Sequence, residues 1–117
     1  MSIERLHVGH RMSQVVIHDG IVYLAGQVAQ NAAGRPVAEQ TRDILDSIDE
    51  FLKQAGTDKS RLLAAQIWRA DIATFDEMNQ VWDAWLSPGN APTRACVEAK
   101  LAFPKFTVEI MVSAALP

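Results

Sequence analysis

A single cysteine, Cys96, stands among 117 residues. One thiol cannot close a disulfide within the chain, so the fold must rest on its apolar core, and the usage fits a reducing cytosol. Runs of lysine and arginine are also missing: 11 basic residues face 14 acidic ones, for a formal net charge of −3. Phosphate-binding surfaces need clustered cations, so this balance argues against nucleic acid or an anionic membrane as partner. No apolar stretch reaches the ~20 residues a membrane-spanning helix needs, and Met1-Ser2-Ile3-Glu4-Arg5-Leu6-His7 has no signal-peptide pattern. His7, His10 and His18 match no metal-ligand spacing. Linkers, repeats and low-complexity segments are lacking as well. What remains is a cytoplasmic, single-domain reading over residues 1–117, with 49% hydrophobic residues to build a core.

Two opening strands are marked by Gln14–His18 and Ile21–Ala25 around Asp19-Gly20, a pair suited to a type I′ hairpin turn because Gly accepts positive φ. Residues 30–36 read as loop. From Val37, apolar residues recur at spacings of three and four (Thr41, Ile44, Leu45, Ile48, Phe51, Leu52, Ala55), and Gly56 is a C-terminal stop. Asp43, Asp46, Asp49 and Glu50 form the face predicted to be solvated. Leu62–Ile72 reads as a long strand. A second helix is predicted to start at a capping box, Thr74-Phe75-Asp76-Glu77, with Phe75, Met78, Val81, Trp82 and Trp85 on its apolar face. Strands over 93–101 and 106–115 close the chain. The order read is β-β-β-α-β-α-β-β, an α+β domain with two helices on one face of a mixed sheet.

The last two strands carry the chemistry. Arg94 lies on an apolar strand, where a guanidinium is costly unless an anion answers it. Glu109 follows 15 positions later on another apolar strand. Alternation places Ala95, Val97 and Ala99 on one face and Arg94, Cys96, Glu98 and Lys100 on the other; in the final strand Val108, Ile110 and Val112 oppose Glu109, Met111 and Ser113. With the apolar faces turned to the helices, Arg94 and Glu109 are predicted to share the second face. That face also carries Cys96, Met111 and Ser113, and its mixed polarity points to packing against other copies of the chain.

Several segments resemble the RidA/YjgF family: Leu24-Ala25-Gly26-Gln27, Asn79-Gln80-Val81-Trp82-Asp83-Ala84-Trp85, Ala91-Pro92-Thr93-Arg94-Ala95-Cys96-Val97-Glu98-Ala99 and Phe106-Thr107-Val108-Glu109-Ile110. Arg11–Val16 and Asp58–Arg61 resemble its YoaB-like branch more than RidA itself. The resemblance implies a chorismate-mutase-like fold, a homotrimer with clefts between subunits, and no metal or organic cofactor. It also implies hydrolysis of reactive enamine and imine intermediates, of the 2-aminoacrylate type, to 2-oxo acids and ammonia. Arg94 would anchor the substrate carboxylate through paired N–H···O bonds, and Glu109 would position water and carry its proton. Cys96, Ala25 and Gly26 would line the pocket by resemblance. Met12 stands where RidA has a tyrosine, and Ala25 where it has a serine, which bears on substrate preference.

Plainer roles compete with these. Arg94 could serve a structural salt bridge, Glu109 could pair with Arg94 or Lys100, Cys96 could be a small packed residue, and Trp68, Trp82 and Trp85 read first as core or interface anchors. The loss of two hydroxyls at Met12 and Ala25 keeps open an alternative function, a non-catalytic binding protein for a 2-oxo or amino acid in the same cleft. An RNA-directed or chaperone-like activity ranks last on the charge balance.

Overall fold

Eight main elements build the chain in the computed structural model, which describes residues 2–117. They are β1 (Glu4–Val8), β2 (Ser13–His18), β3 (Ile21–Leu24), α1 (Val37–Ala55), β4 (Leu62–Arg69), α2 (Phe75–Trp85), β5 (Thr93–Glu98) and β6 (Val108–Ala115). Short 3-10 turns precede β4 and α2. The six strands form one mixed sheet in the order β1-β2-β3-β6-β4-β5. Every neighbouring pair is antiparallel except β4 and β5, which α2 joins by a crossover. No helix among the described residues is long and apolar enough to cross a membrane.

The β2–β3 hairpin turns on Asp19 (φ 53°) and Gly20 (φ 77°), the two positive values a type I′ turn requires. Helix α1 ends where predicted: Gly56 adopts the left-handed conformation, and the N–H groups of Gly56 and Thr57 return to Lys53 O and Leu52 O. Its stripe of Val37, Thr41, Ile44, Leu45, Ile48 and Leu52 is buried against Val15, Val22, Leu24, Ile67, Val108, Ile110 and Val112 from the sheet. Each large apolar side chain so buried contributes roughly 1.5–3 kcal/mol, enough to hold both helices on this one face.

Three local expectations change. Thr74 does not form a capping box: its hydroxyl donates to Asp71 O, and the Asp71 carboxylate caps the preceding turn through Ala73 N–H. Glu77 turns to α1 instead and accepts the Ala38 N–H at 2.9 Å, supplying a cap that Pro36 cannot provide. The acidic face of α1 is only partly solvated. Asp43 accepts the backbone N–H groups of Asn31 and Ala32, and Asp49 accepts Trp85 Nε1–H. The strands read over 62–72, 93–101 and 106–115 are also shorter than predicted, as the bounds above show, because turns displace their ends.

The facing of β5 reverses the prediction. Cα register pairs Ile67 with both Cys96 and Ile110, and Ala65 with both Arg94 and Val112. Paired residues share a face, so Arg94 and Cys96 lie on the helix side with the core. Ala95 and Val97 lie on the other side with Gln66, Trp68, Glu109 and Met111. This open face bears no helix; Tyr23, Val97 and Met111 on it are each more than two-fifths exposed.

Candidate active site in two halves

Glu109 is placed by β6 on the open face, beside the segment that leaves β3. Gln27 and Ile110 exchange backbone hydrogen bonds at 2.8 and 3.1 Å, and Ala25 N–H donates to Gln14 O at 2.9 Å. The buried Gln27 side chain donates to Gln14 Oε1 (2.8 Å) and Ala25 O (3.0 Å), locking residues 25–27 in place. Gly26 is thereby pressed against the glutamate. A Cβ there would overlap Glu109 Oε2 and stand 3.1 Å from its Cδ. Close approach, not a positive φ, is what demands glycine at this position. Among the described residues Glu109 has no hydrogen-bonding or ionic side-chain partner, and partial burial holds its carboxyl above the usual glutamate range. Such a carboxylate is suited to exchanging a proton with a nearby water.

Arg94 is built differently. Edge strand β5 projects it toward α2, where Nη1 donates to Asn79 Oδ1 at 2.7 Å. Its guanidinium carbon lies 5.6 Å from the Phe75 ring centre and 5.8 Å from that of Trp82. Aromatic faces and a neutral amide orient the cation without cancelling its charge, which stays available to an anion. Two residues on, the half-buried Cys96 accepts a hydrogen bond at Sγ from Arg69 Nε, at 3.0 Å.

The predicted residues therefore fall into two groups. Ala25, Gly26 and Glu109 come together on the open face; Arg94 and Cys96 come together on the helix side. The expectation that Arg94 and Glu109 share a face of the sheet is corrected by the register. An Ala-x-Val alternation on a strand resembles a core face, but here the aromatic residues of α2 receive the arginine, and the small apolar residues are left on the open side. Neither the Arg94–Glu109 nor the Glu109–Lys100 ion pair forms among the described residues. Met12 lies in the turn that closes Gly9 N–H onto Met12 O; it is half exposed and two residues ahead of Gln14, at the margin of the Glu109 group. No group of three or more His, Cys, Asp or Glu able to hold a metal ion occurs among the described residues.

Sequence reasoning missed Gln14, Gln27, Asn79 and Arg69 as parts of these groups. Gln27 and Asn79 lay inside the resembling segments without a role. Arg69 carried the same signal as Arg94, a guanidinium on an apolar strand.

A six-stranded mixed sheet with two helices on one face, carrying these residues, defines an α+β protein of the YjgF type. The chain belongs to the RidA/YjgF family: residues 2–116 match the family described as Endoribonuclease L-PSP. It is 45% identical over 114 residues to a RutC family protein of Haemophilus ducreyi, covering 97% of each chain. With the RutC family protein YoaB of Escherichia coli it shares 42% identity over 116 residues, 99% of this chain and all of that one. More distant is the 2-iminobutanoate/2-iminopropanoate deaminase of Rattus norvegicus, at 31% identity over 80% of this chain and 70% of that one. Among solved structures, a YjgF family member from Neisseria meningitidis superposes with a TM-score of 0.96 at 43% identity, covering 100% of this chain and 97% of that one.

Proposed function

We propose that this protein hydrolyses 2-imino acids to 2-oxo acids and ammonia in clefts formed between copies of the chain, three in a closed homotrimer. Arg94 of one copy binds the substrate carboxylate; Glu109 of its neighbour, with Ala25 and Gly26, faces the imine carbon. The observation that carries this reading is the separation of Arg94 from Glu109 on opposite faces of one sheet. Groups so placed can act on one small molecule only if a second copy supplies one of them. The open face supports it, since Tyr23, Val97 and Met111 form an apolar surface that another copy would cover.

The chemistry follows from the two halves. Arg94 fixes the carboxylate and thereby the adjacent C=N carbon. Glu109 takes a proton from water as its oxygen bonds to that carbon. The proton returns to nitrogen to give a carbinolamine; as the C–N bond then breaks, the hydroxyl proton passes to nitrogen, C=O forms, and ammonia leaves behind a 2-oxo acid. Because an imine is already electrophilic, one acid/base group worth roughly 10²–10⁴-fold, added to positioning, is an adequate scale. Cys96 contributes through its place beside Arg94. The rat relative's name, an imine deaminase, agrees with this reading. The test is hydrolysis of imino acids generated by an amino-acid oxidase and followed by semicarbazide trapping. Acceleration by the wild type that Arg94→Ala abolishes is the expected result; no acceleration from a well-folded oligomer would favour a binding protein.

A further inference from the structure

Arg69 is the largest wholly buried side chain among the described residues. Its Nε donates to Cys96 Sγ, its Nη1 reaches Ile72 O at 3.5 Å, and its Nη2 has no partner. Neither Glu98, its register partner on β5, nor Asp71 forms an ion pair with it; Arg35–Glu39 is the only salt bridge among the described residues. A buried cation without a carboxylate, and with an unpartnered Nη2 amino group, costs the fold stability. Features of this kind collect where function needs them.

Its position supplies a reason. The Arg69 guanidinium carbon lies 4.5 Å from the centre of the Phe75 ring, and that of Arg94 lies 5.6 Å from the same centre. The two cations are therefore no more than about 10 Å apart, with one aromatic ring in common. An anion held by Arg94 feels both charges, and the inner one is shielded from solvent and so weakly screened. We propose that Arg69 is a second, buried cation of the anion site, acting through its field to make the cleft favour 2-imino and 2-oxo acids that carry a second acidic group. At an effective dielectric near 20, a unit charge about 10 Å from a bound monoanion changes its affinity by roughly tenfold. A dianion gains more, since both of its charges respond. This rests on the reading of Arg94 as the carboxylate anchor.

The test is calorimetric titration with 2-oxopentanoate and 2-oxoglutarate, which share a five-carbon chain and differ by one carboxylate. Wild type should bind the diacid more tightly. Arg69→Met should weaken 2-oxopentanoate by roughly tenfold and 2-oxoglutarate by more, while the melting temperature holds or rises because a buried unpaired charge has gone. Arg69→Lys should retain most of the affinity. Equal losses for the two ligands, no loss, a wild-type preference for the monoacid, or failure of both Arg69 variants to fold would overturn the proposal while leaving Arg94 in place. Absence of binding by the wild type, or binding unchanged in Arg94→Ala, would instead overturn the anchor reading and this inference with it.

Discussion

The two halves of the site are made by opposite means. Around Arg94 the chain supplies aromatic rings, a neutral amide and a second cation, on the side of the sheet where the helices pack. Around Glu109 it supplies the absence of a side chain at Gly26 and a glutamine pair that holds the backbone close, on the side that no helix covers. One half orients a charge that stays available; the other withdraws a charge from water. On the proposed reading neither half is a site alone, and the unit of function is a junction between copies.

That comparison can be broken at several points. The largest effect is expected at the chemical half: Glu109→Gln should lower imine hydrolysis by roughly 10²–10⁴-fold while 2-oxo acid binding survives, because the amide keeps hydrogen bonds but takes no proton. Arg94→Ala should instead lose binding as well as rate, so titration separates the two. Gly26→Ala comes next. Its methyl group must displace Glu109, and overpacking of this kind typically costs about 1–3 kcal/mol, read as a lowered melting temperature together with reduced turnover. Asn79→Ala leaves the Arg94 charge but frees its orientation; a lost hydrogen bond to a charged group implies an affinity loss of about 1.5–3 kcal/mol at most, with the chemical step after binding unchanged.

The smallest effect is in pH dependence. Burial raises the Glu109 carboxyl, so the folded state holds its proton more tightly than the unfolded chain does. The stability this confers is present below the ordinary glutamate value of about 4.3 and is lost as pH rises through the raised one. Glu109→Gln, neutral throughout, should therefore gain in melting temperature over wild type as pH climbs through that window, and match it in more acidic solution.

Much of the fold was legible because local rules agreed with tertiary ones. Asp19-Gly20 could hardly serve a different turn between β-branched runs, and the Val37–Leu52 stripe with Gly56 describes α1 almost to the residue. The candidate residues were legible too, but their arrangement was not. Parity along β5 said which side chains share a face, not which face meets the helices. That was settled by register against Ile67 and by the aromatic surface of α2, both set by residues distant in sequence. Glu77 failed the capping-box reading for the same reason: an unpaired N–H on α1 competed for its carboxylate and won. Arg69 was hidden inside a stretch that read as an ordinary strand, although its burial continues the alternation of Ala65 and Ile67.

The composite cleft is tested most directly by mixing two inactive variants, Arg94→Ala and Glu109→Gln, unfolding them together and refolding them as mixed oligomers. If each cleft takes Arg94 from one copy and Glu109 from the next, random assembly at equal amounts leaves about a quarter of the clefts with both groups intact, and imine hydrolysis should return to about that fraction of wild type. If activity stays at the level of the separate variants while mass spectrometry shows mixed trimers, the two residues serve from the same copy and the account of the site is wrong.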